Sequence, residues 1–327
     1  MNDMSTKGKR AQRSPGARDL TRFVLSLFGP ETQNPLWGTR ILPKEPREHV
    51  YHYTTIEGVK GILESKTIWA TDLRYLNDAT EFTHSGSLVE QMITSTLVDP
   101  LWKYLPPLSA DLRTTHRVGV YAACFRGKPN LLSQWRAYAP QTTGYAIQFN
   151  WPHLKSALSC GTNLVTTGRV EYDTDRQREI LGQLIRAYAI AHQENDTTTE
   201  QATTPLKDAH RIVQYIRSSE DRYRNALAAL FIIRAFLKSS AFSEEEEWRA
   251  VAVEPNTDDV NFRCSRHMLV PYLSLDFSSA QPLPIDQIII GPGPHPAEAR
   301  ASLEQFLTRK PGLEHITVEA PTHPLRV

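Results

Sequence analysis

Strands and helices are mixed along this chain, with strands outnumbering crossovers in the middle, and that order decides the fold class. Residues 50–55 (VYHYTT), 67–73 (TIWATDL), 117–125 (RVGVYAACF), 144–150 (GYAIQFN), 285–291 (IDQIIIG) and 315–320 (HITVEA) are β-branched, aromatic or continuously apolar runs. Residues 244–254 (EEEEWRAVAVE) take strand spacing, with Trp248, Ala250 and Ala252 alternating. Helical spacing appears over 56–66, where Ile56, Val59, Ile62 and Leu63 recur, and over 82–97, 131–139, 176–195, 206–238 and 296–310. In 176–195, Ile180, Leu184, Ile185 and Tyr188 share one face. The order predicts an α+β domain with a helical insertion near 175–240. A doubly wound sheet is disfavoured further by the lack of G-x-G-x-x-G after a strand and of a G-x-x-x-x-G-K-[ST] loop.

Charge and cysteine content narrow the function classes. The 37 Lys+Arg and 36 Asp+Glu leave a net charge of +1, which argues against a protein that coats nucleic acid or anionic membrane. The 3 cysteines are scattered and form no C-x-x-C pair, so a reducing, cytoplasmic setting is expected. No apolar run approaches the ~18 residues of a membrane span. Residues 1–48 read as a disordered basic tail, with a short helical pattern at 21–28, followed by a Pro/Gly-rich connector. The compact domain is expected over 49–327.

Four constellations can carry chemistry. On the strand Tyr51-His52-Tyr53-Thr54, alternation puts His52 and Thr54 on one face. They either meet a ligand hydroxyl, or His52 is a core histidine satisfied by nearby backbone. Asn77-Asp78 precedes a helix and either caps it or offers a polar group to a ligand. Ser133, Trp135 and Tyr138 lie in a short helix whose aromatics either fill the core or form a wall for a planar ring. Finally, Glu244 to Glu247 runs directly into a strand. The run is either a solvated acidic face or a site in which Glu245, Glu247 and Arg249 converge, two carboxylates then resisting joint ionisation. No metal is expected, because the only close histidine pair, His49 and His52, points to opposite faces of a strand and no H-E-x-x-H is present.

In sequence order the motifs are His52-Tyr53-Thr54, Asn77-Asp78 to Phe82, Cys124-Phe125, Ser133 to Tyr138, Gly144 to Phe149, Glu245 to Arg249 and Ile288 to Pro292, with His323-Pro324-Leu325-Arg326 at the close. Together they resemble a widespread bacterial family known as a domain of unknown function, itself distantly similar to the ADP-ribosyltransferase superfamily. That resemblance implies a mixed, largely antiparallel split sheet with NAD bound as substrate in the cleft. It also implies toxin, defence or stress-related roles. His52 would hold the NAD ribose. Trp135 or Tyr138 would flank the nicotinamide. Glu247 would bond the ribose 2′-OH and stabilise an oxocarbenium-like transition state, while Glu245 orients or deprotonates the acceptor. The catalytic set is then Glu247, Glu245 and His52. The NAD-binding set is His52, Thr54, Tyr138, Trp135, Ser133 and Asn77. The expected partner is a macromolecular acceptor, protein or nucleic acid, with no membrane involved. The competing reading is a non-catalytic ligand- or partner-binding domain, and a metal-free nuclease is a third.

Overall fold

The computed structural model describes residues 47–76, 79–95, 119–138, 143–159, 164–196, 230–253, 259–265 and 267–320. The expectations for residues 1–46, for Asn77 and Asp78, for most of the 206–238 helical pattern and for the closing His323 to Arg326 lie outside these residues.

Two sheets form the frame. The first has the order β1 (His49–Thr54), β4 (Tyr145–Asn150), β9 (Ile285–Ile290), β10 (Thr317–Glu319). The second has the order β5 (Leu164–Arg169), β6 (Trp248–Val253), β3 (Val120–Phe125), β2 (Thr67–Asp72), β8 (Leu269–Asp276), β7 (Asn261–Cys264). Every neighbouring pair is antiparallel except β9 and β10. Between these two lies helix α6 (Pro296–Thr308), the crossover that a parallel pair requires. The architecture is therefore mixed α+β and largely antiparallel. Strands β5, β7 and β8 and helix α4 (Trp151–Ser159) fall in stretches where the sequence pattern gave no element.

A backbone bridge joins the two sheets. Tyr51 of β1 and Arg126, just past β3, exchange both backbone hydrogen bonds, at 2.9 and 2.7 Å. A single apolar cluster draws on both sheets. Phe125 of β3 contacts Phe149 of β4 and Trp151 of α4, and Trp151 in turn contacts Trp248 of β6, all edge-on.

Helix α1 (Ile56–Ser65) follows β1 directly. The Thr55 side chain accepts from the Gly58 N–H, and Val59, Ile62 and Leu63 turn into the core. The helix stops at Lys66, which takes a left-handed conformation (φ 55°) and donates its N–H to the Ile62 carbonyl. Helices α2 (Ala79–Ser95) and α5 (Thr174–Asp196) pack together. Short helix α3 (Leu132–Tyr138) sits over β1. Residues 230–234 are helical and lead to a 3-10 helix at Ser240–Glu245.

Alternation gives the six-stranded sheet two unlike faces. Tyr121, Ala123, Phe125, Trp248, Ala250, Ala252, Leu273 and Leu275 belong to the core cluster. The opposite positions, Ala122, Cys124, Arg249, Thr67, Trp69, Thr71 and Arg263, line a cavity of about 790 Å³. His52 and Thr54 reach the same cavity from β1.

Candidate functional site

One end of the cavity is a buried charge cluster. Glu247 enters β6 from a turn at Glu246, which is left-handed (φ 43°). Glu245 ends the preceding 3-10 helix. The sequence pattern put both glutamates on one strand face. They do converge on one cavity, but the left-handed turn between them produces the convergence, not strand alternation. Glu246 points away from the cluster, onto Arg47 at 3.0 Å and Lys128 at 2.7 Å. Arg47 also donates to the Gly127 carbonyl.

The two cavity carboxylates are held by three cations. Glu247 is 1% exposed. Its Oε1 accepts from Arg249 Nε at 2.8 Å and faces Arg126 Nη1 at 3.3 Å, while its Oε2 accepts from Lys238 Nζ at 2.9 Å. Glu245 Oε2 accepts from the same Lys238 at 2.9 Å and pairs with Arg126 Nη2 at 3.1 Å. The expected mutual repulsion of the carboxylates is thus overridden. Among the described residues, three cations face these two carboxylates. Burial pushes the Glu247 pKa up, but Arg249, Arg126 and Lys238 outweigh it and hold the group well below the ordinary glutamate range. Glu247 is therefore ionised at neutral pH, suited to opposing positive charge and poorly suited to taking a proton.

Neighbouring groups fix this cluster in place. Tyr172 accepts the Glu247 backbone N–H at 3.0 Å. Arg249 donates to the Ala235 carbonyl at 2.6 Å, and Arg126 donates from Nε to Gln134 Oε1 at 3.0 Å. The Lys238 carbonyl accepts from Gln177 Nε2 at 2.7 Å, and its N–H donates to the Glu171 carbonyl. Cys124, opposite Arg249 in the β3–β6 register, has its thiol pKa raised by burial and by the Glu247 charge, so it stays protonated.

His52 joins the site from the other sheet. Its Nδ1 lies 3.0 Å from the Cys124 carbonyl, which can only accept, so Nδ1 carries a proton and Nε2 is the acceptor of the neutral ring. Burial lowers the His52 pKa. The Cys124 bond works the other way and the Arg126 charge adds to the lowering. The ring is satisfied by backbone, and it also lines the cavity.

The aromatic expectations need correction. Trp135 is 8% exposed and packs edge-on against Tyr53 at 4.6 Å, in a small cluster with Ala146 and Ile289. A side chain at Gly291 would come within 2.8 Å of its ring, so the glycine there makes room for the indole. Trp135 is a core residue and not a cavity wall, because α3 turns Gln134 and Ala137 to the cavity instead. Ser133 is exposed and outside the cavity lining. Tyr138 is the last residue of α3.

Several groups that the motifs passed over line the cavity. Arg126 continues the period-two series of Ala122 and Cys124, a signal available in the sequence. Trp69 shares a strand face with Thr67 and Thr71, so its parity was also readable. Lys238 had no sequence signal, since only the chain path after residue 234 brings it between the two glutamates.

Residues 134–250 match the model of a family described as a protein of unknown function, DUF2971. The match starts in α3 and ends in β6, so it contains Lys238, Glu245, Glu247 and Arg249 but not His52, Cys124 or Arg126. No match is found among curated proteins or among solved structures. No helix of the described residues is long and apolar enough to cross a membrane.

Proposed function

We propose that the cavity binds NAD and cleaves its nicotinamide–ribose bond, passing ADP-ribose to a macromolecular acceptor in the manner of an ADP-ribosyltransferase-like split-sheet fold. One observation carries the reading: His52 and Glu247, from different sheets, line a single cavity beside the point where the sheets join. In this reaction nicotinamide departs with the bonding electron pair and positive charge develops on the ribose. A fixed anion lowers the energy of that charge, and more so out of water. Glu247 is such an anion, held in place by its cations. The neutral His52 offers Nε2 to a ribose hydroxyl, with Thr54 nearby on the same strand face. Glu245, the more exposed of the two carboxylates, is the one positioned to orient an acceptor.

The test is NAD titration by calorimetry into wild type and Glu247→Gln, with nicotinamide release followed in the same samples. The reading requires binding by the wild type, and release that falls at least about 100-fold in a folded variant. Absence of NAD binding up to millimolar concentration rejects it.

A second reading is a non-catalytic binding domain. The observation favouring it is that Lys238, Arg126 and Arg249 already balance the charge of Glu247. Binding without nicotinamide release would select this reading.

A further inference from the structure

The cavity has a second end, lined by β2 and by Arg263 of β7, whose groups the bond-breaking chemistry leaves unused. We propose that this end is a binding site for a nucleoside 5′-phosphate, with the base stacked on Trp69 and the phosphate held by Arg263.

Trp69 is 49% exposed although it lines the cavity. One side of its ring lies against Tyr272, with centroids 4.4 Å apart and planes 32° apart. The remainder of the indole is a flat apolar surface open to a ligand ring. The strand register explains the pairing: Thr71 lies opposite Tyr272 on β8, and Trp69 is two positions away on the same face of β2.

Arg263 comes from β7 at the sheet edge, where Asn261 pairs with Tyr272 and Arg263 pairs with Val270. Among the described residues it makes one long hydrogen bond, 3.4 Å to Thr71 Oγ1, and no ion pair. Its Nε is buried without a partner. The contrast with the other cations of the cavity is sharp. Arg126, Lys238 and Arg249 each contact a carboxylate within 3.3 Å. Arg263 is a guanidinium fork facing a cavity with its donors largely unused, the arrangement that phosphate oxygens complete.

Thr71, which Arg263 touches, lies about 7 Å along β2 from Trp69. A ring and an anion separated on this scale by a hydroxylated linker describe a nucleoside 5′-phosphate. Thr67 and Thr71 both line the cavity from this face of β2.

The experiment titrates AMP into the full chain by calorimetry, with adenosine and ribose 5-phosphate as partial ligands. AMP is expected to bind at least about tenfold more tightly than either. Trp69→Ala and Arg263→Gln each weaken AMP about tenfold or more, and Trp69→Phe restores much of the loss. Absence of AMP binding at millimolar concentration overturns the proposal, as does binding that neither Trp69→Ala nor Arg263→Gln changes. Competition between AMP and NAD assigns the site to the adenylate half of a dinucleotide. Independent binding of both assigns it to a free nucleotide. Either result supports the site, and neither depends on nicotinamide release, so failure of the cleavage reading is a separate outcome.

Discussion

The two ends of the cavity lie on the same face of one sheet and solve opposite problems. At the β6–β3 end, every cation touches a carboxylate, and Glu247 is almost sealed from solvent. At the β2–β7 end, a large ring stands half exposed and Arg263 makes no ion pair among the described residues. What covers the strands makes the difference. The segment from residue 230 to Glu245 brings Lys238, Phe242 and Glu245 over β6 and β3. Burial there strengthens each ion pair and makes each one costly to break. The first end is built to stay as it is, and the second has capacity left for a ligand.

That contrast predicts a ranking of substitutions. Glu247→Ala should be the most damaging, because it leaves three buried cations facing one carboxylate. A loss of about 3–5 kcal/mol in denaturant unfolding is expected, with Glu247→Gln milder. A cost under about 1 kcal/mol would mean that the cluster does not hold this end together. Trp135→Ala should cost a comparable 3–5 kcal/mol or so, as a core truncation beside the site, and should leave AMP affinity within a few-fold of wild type.

Acid sensitivity is expected of the charge-cluster end. His52 and Glu247 both have folded-state pKa values below their ordinary values, so in each case the unfolded chain takes up protons first. The stability each supplies is present above its unfolded pKa and lost as pH falls. Unfolding free energy should therefore decline below about pH 6.5 through His52, and again below about pH 4.3 through Glu247. His52→Asn should remove the first decline and Glu247→Gln should flatten the second. An acid limb unchanged in both variants would break the comparison. The smallest stability effect belongs to Trp69→Ala, about 1 kcal/mol or less, since the ring is half exposed and its main loss is expected in ligand binding.

Parts of this site were legible from residue patterns. The parity of β1 put His52 and Thr54 on one face, and both line the cavity. The parity of β6 sent Trp248, Ala250 and Ala252 to the core and Arg249 to the other side. Trp135 was not legible, because a tryptophan in a short helix looks the same whether it fills a core or lines a wall. Strands β7 and β8 were missed for a related reason. β8 carries Pro271 and mixes apolar with polar positions, and β7 is a four-residue edge strand with little burial to pattern it.

The amino-acid sequence by itself determined the mixed α+β class and the two-faced character of β1 and β6. Those properties follow from periodicity, which neighbouring residues set among themselves. Only the tertiary structure decided that Glu245 and Glu247 are clamped by Arg126, Lys238 and Arg249, and that Arg263 sits beside Trp69. These pairings join residues far apart in the chain, and their energies depend on burial and distance, which local pattern does not encode.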